Sequence, residues 1–173
     1  MSLWQHLWPP RPRRLERLSD ILGAACDELV MLTGCVEPLE SIHDPVSGEA
    51  AVAVDYRAAP PSTIIGVPGA LATMSRLFQV TRQQAVDFVL GDGPYRVLVH
   101  VDRGADLAAI HRDLVRRHGV GLYTERVLVR PGARVCVVGR HLGGRATSPL
   151  RDEPYLGVIR AQRFWVLDAA EPQ

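Results

Sequence analysis

Apolar and polar residues alternate in many short segments of this chain, which is the pattern of β-strands that bury one face. Val52, Val54 and Tyr56 alternate with small or polar residues, and so do Val135 and Val137. The same alternation, or a short apolar and β-branched run, predicts strands over residues 28–36, 49–57, 75–82, 85–90, 95–101, 122–129, 134–141 and 156–167. Loops rich in proline, serine and glycine separate several of them. The chain is therefore predicted to be mainly β.

Two stretches have the spacing of helices instead. Residues 106–118 carry an amphipathic stripe that Gly119 would end, formed by Leu107, Ile110, Leu114 and Val115. A shorter stripe begins after Arg13 and ends near Gly23, formed by Leu15, Leu18, Ile21 and Leu22. The pattern predicts one helix inserted among the strands and a short helix near the N-terminus.

This order of elements favours an α+β fold. A tight Gly91-Asp92-Gly93 turn makes the two strands beside it antiparallel neighbours. The order strand-strand-strand-helix-strand-strand is compatible with a small antiparallel OB-like barrel that has an inserted helix and an N-terminal helical arm. The arm and short helix would take residues 1–24, the β-barrel domain residues 25–168, and a disordered tail residues 169–173.

Composition narrows the chemistry. The chain has 173 residues, 47% of them hydrophobic, and a net charge of +1. All 20 basic residues are arginine, so a Schiff-base lysine, a P-loop lysine and a lysine general base are excluded. Three cysteines match no zinc or CxxC spacing, and no apolar run approaches the roughly 18 residues of a membrane span. We expect a soluble, cytoplasmic protein.

No catalytic, cofactor or metal site is predicted. No serine lies in a G-x-S-x-G elbow, and Cys35 and Cys136 fall in apolar strands where a thiol is usually inert packing. His111 and His118 are seven residues apart on the predicted helix, but a third ligand at metal-site spacing is missing. We expect both histidines to be solvated.

The segment from Tyr123 to His141 joins two predicted strands through a turn at Pro131-Gly132, where proline sets the first corner and glycine allows a positive φ at the next. Alternation places Tyr123 and Glu125 on one side of the first strand. We expect a buried Glu125 that accepts hydrogen bonds from turn amides, a structural role.

Three segments together resemble a known family. They are residues 30–58, with Leu32-Thr33-Gly34-Cys35-Val36, the turn Asp44-Pro45-Val46-Ser47-Gly48 and Asp55-Tyr56-Arg57; residues 87–99, with their Gly-Asp-Gly turn; and residues 123–141. In this order they are similar to the GIDE-type domain, also called BAM, of MULAN-like ubiquitin ligases and bacterial relatives. The resemblance covers roughly residues 28–163 and implies structural roles for Gly34, Pro45, Gly48, Tyr56, Asp92, Tyr123, Glu125, Pro131, Gly132 and Gly139.

The resemblance implies a binding module and no ligase activity. The ligases carry a zinc-binding RING and flanking transmembrane helices, and this sequence has neither. We expect a non-enzymatic protein- or ligand-binding scaffold whose partner is another protein. Two alternatives stay open: an enzyme with an unrecognised site, and an OB-like module for single-stranded nucleic acid. The latter would use Arg112, Arg116, Arg117, Arg126, Arg130 and Arg134 beside Tyr123, although 19 acidic residues argue against nucleic acid.

The N-terminal arm is a candidate contact surface. Two tryptophans precede prolines and a basic cluster, and segments that combine aromatic and basic residues bind partners or membrane surfaces. The predicted contact residues are Trp4, Trp8, Arg11, Arg13 and Arg14. The alternative is that the two tryptophans fold back on the barrel.

Overall fold

The structure is a computed structural model that describes residues 11–59, 80–119, 122–143 and 155–167. Over these residues the chain is mainly β with two helices, which confirms the α+β prediction. In order the elements are β1 (Arg13–Arg14), a 3₁₀ helix (Leu18–Gly23), β2 (Leu29–Pro38), β3 (Ile42–His43), β4 (Ala50–Ala51), β5 (Ala53–Ala59), β6 (Val80–Ala85), β7 (Phe88–Asp92), β8 (Tyr95–His100), α1 (Leu107–His118), β9 (Tyr123–Val129), β10 (Arg134–His141) and β11 (Val158–Val166).

The chain divides into two compact units. Unit 1 takes the described parts of residues 1–39, 87–101 and 131–173, and unit 2 takes those of residues 40–86 and 102–130. Unit 2 is thus built from two insertions into the sequence of unit 1. The predicted division at residues 24 and 168 stays a prediction. No helix in the described part of the chain is long and apolar enough to cross a membrane.

Unit 1 contains one sheet of six strands. Its order is β1-β2-β10-β11-β8-β7, and β7 also pairs with β2. The β1–β2 and β8–β11 pairs are parallel, and the others are antiparallel. The β7–β8 hairpin is the predicted one: Asp92 lies opposite Tyr95, and Gly93 has a φ of +57°. Alternate residues form the core: Val30, Leu32, Val36, Phe88, Leu90, Val97, Val99, Val135, Val137 and Ile159.

The N-terminal stripe does not form the predicted helix from Arg13 onward. Arg13 and Arg14 pair with β2 instead, and the 3₁₀ helix starts only at Leu18. Leu18 and Ile21 are fully buried three residues apart, the repeat of a 3₁₀ rather than an α-helix, while Leu22 is exposed. Three of the four stripe positions, Leu15, Leu18 and Ile21, are buried as predicted, and their spacing of three fits a tighter helix.

Unit 2 packs α1 on a three-stranded antiparallel sheet. The sheet order is β6-β5-β9, and β3 and β4 form a separate two-stranded ladder. Val54, Tyr56 and Ala58 cluster with Leu107 of the helix. The helix confirms the predicted one: Asp106 accepts a hydrogen bond from the Ala109 amide at 3.0 Å, and Gly119 ends it with a φ of +80°. The predicted 49–57 strand is interrupted at Val52.

The Pro131-Gly132 turn does not close a hairpin. Gly132 has the expected positive φ, +80°, and donates a hydrogen bond to the Val36 carbonyl at 2.8 Å. However, β9 pairs with β5, whereas β10 pairs with β2 and β11. The turn lies where the chain passes from unit 2 to unit 1, and local turn chemistry alone did not indicate that the two strands belong to different sheets.

Candidate functional site

The sheet of unit 2 has two unlike faces. Strands place successive side chains on opposite sides, so one face of β5 and β9 packs on α1 and the other is exposed to solvent. The exposed side, here called the open face, consists of Asp55 and Arg57 from β5 and Tyr123, Glu125 and Val127 from β9. Arg57 lies opposite Glu125, and Asp55 lies opposite Val127.

Apolar surface on the open face is unusually exposed. The Val127 side chain is 61% exposed and Tyr123 is 52% exposed. A shallow cavity of about 420 Å³ lies beside them and is lined by Asp55, Arg57, Glu125, Arg126 and Val127. Exposed apolar residues grouped around a polar depression are typical of a binding surface.

The polar groups of the open face are loosely paired. Arg57 contacts Asp55 at 3.7 Å and Glu125 at 3.9 Å, and the Tyr123 hydroxyl donates to Glu125 at 3.3 Å. The Oδ1 atom of Asp55 is buried and has no hydrogen-bond partner among the described residues. A buried acceptor without a donor is uncommon, so Asp55 is an unsatisfied position beneath the open face.

Glu125 is not the buried turn acceptor that the sequence predicted. Its side chain is 53% exposed and its contacts are with Arg57 and Tyr123. The acceptor role belongs to Asp44, whose side chain is fully buried. Pairing with β5 turns the Tyr123–Glu125–Val127 side of β9 toward solvent and the Arg126 side inward.

Asp44 organises the Asp-Pro-x-Ser-Gly turn of the resemblance. Its carboxylate accepts hydrogen bonds from the Ser47 hydroxyl at 2.5 Å, the Ser47 amide at 3.0 Å and the Val46 amide at 3.4 Å. The Arg126 guanidinium binds the same carboxylate at 2.5 Å. Burial disfavours the charged form, but these donors outweigh burial and hold the pKa of Asp44 below its ordinary value.

Gly48 completes this turn. It has a φ of +74°, and its amide donates to the Asp44 carbonyl at 2.8 Å. Pro45 is at the second position of the same turn. The sequence motif therefore marks a turn that is built around the buried Asp44 carboxylate and its hydrogen-bond donors, so its role is structural.

Tyr56 and His111 form a second internal pair in unit 2. The Tyr56 hydroxyl lies 2.8 Å from His111 Nδ1, and the two rings meet edge to face with centroids 5.8 Å apart. Burial, and next the negative charge of Asp44, raise the pKa of Tyr56, so its hydroxyl stays protonated at neutral pH. His111 thus contacts a buried hydroxyl and is not the solvated side chain expected; His118 is exposed as expected.

Removing the Tyr56 hydroxyl tests this pair. We expect Tyr56→Phe to lower the free energy of unfolding by about 1 kcal/mol, because it deletes one hydrogen bond without creating a cavity. Tyr123→Phe is the matched control, since its hydroxyl is on the exposed face. Urea denaturation of both variants measures the difference, and equal midpoints would contradict a stabilising Tyr56–His111 hydrogen bond.

The N-terminal candidates are only partly within the described residues; Trp4 and Trp8 lie outside them. Arg13 and Arg14 form β1, and the Arg13 guanidinium contacts the Gly23 carbonyl at 3.3 Å and Glu28 at 3.5 Å. Arg11 is exposed. Arg13 thus has intramolecular contacts, and the partner or membrane role of the arm stays a prediction.

Sequence reasoning missed one histidine–carboxylate pair. In unit 1, His100 Nδ1 lies 2.7 Å from Asp87 Oδ2, and the Val101 amide donates to the other oxygen at 2.9 Å. The hairpin register could have indicated it, because Phe88 lies opposite Val99. Within the described residues no hydroxyl or thiol is hydrogen-bonded to His100, so this pair lacks the nucleophile of a triad.

The side chains that bind metal ions are not clustered in the described residues either. The described part of the chain holds no cluster of three or more histidine, cysteine, aspartate or glutamate side chains that could bind a metal ion. Cys136 is buried, but Cys35 is exposed, contrary to its predicted place in the packing, because it falls on the outward side of β2.

The arginines considered for nucleic-acid binding lie on several elements, and most of them have acidic partners. Arg116 and Arg117 bind Asp113 on α1, Arg126 binds Asp44, and Arg130 binds Glu49. Arg112 is on α1 with the first two, whereas Arg134 belongs to β10 of unit 1. Acidic partners therefore bind four of these six arginines, and the nucleic-acid alternative stays a prediction.

Comparison with known proteins supplies no family. No protein-family model matches the chain, and no curated protein matches it.

Proposed function

We propose that the chain is a non-enzymatic binding module of the GIDE type that binds an extended segment of another protein on unit 2. The observation that carries this proposal is that strand β9 has both an exposed side-chain face, which is part of the open face, and a backbone edge that no described strand pairs with. Among the described residues β9 pairs with β5 alone, so the backbone groups on its other edge have no described strand to bind. An exposed strand edge is a template for adding a strand from a partner.

The chemistry of the open face indicates the kind of segment. Asp55 and Glu125 contribute two negative charges against one positive charge from Arg57. Val127 and Tyr123 supply exposed apolar surface. The expected partner segment is an extended strand that carries an arginine or lysine near an apolar residue.

A module of this type also accounts for the motif residues. Asp44 with its turn and Arg126, and Tyr56 with His111, bind each other within unit 2 and expose no reactive group. Such internally satisfied networks stabilise a scaffold. The resemblance to GIDE-type domains then reports mainly the scaffold, and two of its motif residues, Tyr123 and Glu125, lie on the open face.

We further propose that unit 1 is a small OB-like barrel. In support, pairing runs from β2 to β7, β8, β11 and β10 and returns to β2. Along the chain these five strands and α1 follow the order strand, strand, strand, helix, strand, strand. That order is compatible with an OB-like topology.

Capture with matched variants tests the protein-binding proposal. Immobilised wild-type chain is expected to retain a protein from lysate of its native cell, identified by mass spectrometry and confirmed with the purified protein. Val127→Arg should reduce its recovery at least tenfold, because the new charge repels a basic segment and breaks the apolar contact. Leu22→Arg, at a 55% exposed position in unit 1, should not change recovery.

Two results would oppose the proposal. If Val127→Arg recovers as much of the captured protein as the wild type, the open face is not the binding surface. If neither the wild type nor any variant retains a protein above the empty-resin background, the chain has no protein partner in the lysate. Circular dichroism of each variant shows that its fold is intact.

A further inference from the structure

Strands β10 and β11 have an uneven charge distribution that the protein-binding proposal does not use. The two strands, Arg134–His141 and Val158–Val166, contain no aspartate or glutamate. Their positive side chains are four arginines: Arg134, Arg140, Arg160 and Arg163. In a chain whose net charge is only +1, this is a local excess of positive charge.

The pairing register places these side chains on one side of the sheet. Arg140 lies opposite Arg160, Val138 opposite Arg163, and Cys136 opposite Trp165. Residues directly opposite each other in an antiparallel pair share a face. The intervening pair Val137 and Phe164 faces the other way, and the Phe164 ring contacts buried Phe88 at 5.7 Å between centroids.

The positive charge on this side is largely unneutralised. Arg140 binds Asp27 at 3.2 Å. Arg134, Arg160 and Arg163 are exposed, and none of the three has an ion pair with another described residue. The adjoining strand β8 brings one acid near this side, since His100 lies opposite Arg160 and binds Asp87. A guanidinium without an ion-pair partner attracts anions.

An exposed aromatic ring accompanies the arginines. Trp165 is 41% exposed, and the Arg163 guanidinium lies over its ring, 6.0 Å from the centroid. A tryptophan held beside a guanidinium offers a flat surface on which a nucleobase can stack. Arginine also binds phosphate through paired hydrogen bonds.

We propose that this surface, the arginine–tryptophan face formed by Arg134, Arg160, Arg163 and Trp165, binds single-stranded nucleic acid. The arginines would contact the phosphates and Trp165 would stack on a base. Six residue steps along β10 span about 20 Å, enough for several nucleotides. Of the six arginines that the sequence analysis considered for nucleic-acid binding, only Arg134 belongs to this face.

An anionic membrane is the competing partner, and the face fits it less well. Membrane binding needs apolar side chains that insert between lipids. Cys136 and Val138 between the arginines are buried, and the exposed large apolar residues described on these strands and their flanks lie at opposite ends, Trp165 and Leu167 at one end and Leu142 at the other. The positive charge is instead spread along the strands, as contacts to successive phosphates require.

Fluorescence anisotropy with a labelled oligothymidine of about 20 nucleotides tests the proposal. We expect binding at 50 mM salt that weakens about 20-fold by 200 mM, because three arginine–phosphate contacts give a logarithmic salt slope of about −2. Oligouridine of equal length should bind similarly, since stacking and phosphate contacts do not distinguish the sugars.

Variants assign the binding to the face. Trp165→Ala should weaken binding about fivefold or more by removing the stacking surface. Arg160→Gln with Arg163→Gln should reduce the salt slope to about −0.7, since one contact remains. The control is Arg103→Gln with Arg116→Gln, at 72% and 81% exposed positions of unit 2, which makes the same change in charge and should leave the affinity within about twofold.

Three outcomes would overturn the proposal. They are no binding up to about 100 µM protein, equal weakening by the control pair, and binding to phosphatidylserine vesicles that depends on Trp165 while the oligonucleotide does not bind. The last outcome would assign the face to a membrane. Thermal unfolding of each variant shows that a loss of affinity is not a loss of fold.

Discussion

Gly139→Ala is expected to destabilise unit 1 by about 3 kcal/mol, because a methyl group at this position has no space. A β-carbon would lie 2.5 Å from the Ile159 side chain and 2.9 Å from the Ala161 α-carbon, and nearer still to the Arg160 carbonyl oxygen. Two of these three neighbours are backbone atoms of the adjacent strand. They can move only if β10 and β11 separate.

The location of Gly139 explains why the crowding is severe. The register between β10 and β11 shifts between Val138 and Gly139, so the strands approach irregularly there. Glycine in a strand commonly marks a bulge or a close backbone approach. This gives a physical reason for the glycine that the resemblance to GIDE-type domains singled out.

Urea denaturation followed by circular dichroism measures the effect. Gly23→Ala is the matched control, because a β-carbon there meets no atom within 4 Å, and its midpoint should hardly change. A Gly139→Ala midpoint equal to that of the wild type would show that β10 and β11 can separate at little cost.

Local patterns located most strands and the inserted helix, but the predicted strand 85–90 was wrong, because β6 ends at Ala85 and β7 begins at Phe88. Residues 75–79 of the predicted strand 75–82 lie outside the described residues. Alternation located β10 as Arg134–His141, and the apolar spacing located α1 together with its glycine stop. Both signals depend on residues close in sequence, since they report which side of an element is buried. The same holds for the β7–β8 hairpin, whose turn is two residues long.

Those patterns do not predict which strands pair when the strands are far apart in sequence. The Pro131-Gly132 turn looked like a hairpin, but β9 and β10 take partners from distant segments. The side of β9 that faces solvent depends on this pairing, so the sequence pattern alone predicts an interior Glu125 and does not indicate the buried acceptor Asp44. A strand pattern indicates two faces without indicating which neighbour covers each one.

The candidate surfaces likewise depend partly on local alternation, which the sequence shows, and partly on strand pairing, which it does not. Tyr123 and Glu125 were recognised as neighbours from alternation, and Asp55 and Arg57 joined them only through the β5–β9 register. Likewise, Trp165 is 29 residues after Cys136, and its position beside the arginines follows from the β10–β11 register. Binding surfaces on sheets are assembled across strands, so a single segment contains only part of each.

Asp44→Asn is expected to lower the free energy of unfolding at neutral pH by about 2 kcal/mol. The buried carboxylate accepts hydrogen bonds from Ser47, Val46 and Arg126. Asparagine keeps the volume but replaces one acceptor oxygen by a donor and removes the charge opposite Arg126. The Arg126 side chain is 27% exposed, so water offsets part of the loss, and the effect is below that of a fully buried pair.

Asp113→Asn serves as the control for charge and residue type. Asp113 also binds two arginines, but its side chain is 32% exposed, and Arg116 and Arg117 are 81% and 66% exposed. Removing its charge should change stability little, because exposed ion pairs contribute little. If both variants lost the same stability, burial of Asp44 would not be the cause.

The pH dependence provides an independent test of Asp44. Its pKa in the folded chain is lower than its ordinary value of 3.8, so the unfolded chain binds the proton more tightly. The stabilisation is therefore complete above about pH 4 and is lost as the pH falls through the lowered pKa. Urea midpoints measured from pH 7 down to about pH 2 should fall more steeply for the wild type than for Asp44→Asn, so the two curves converge in acid. Parallel curves would show that Asp44 does not stabilise the fold as a carboxylate.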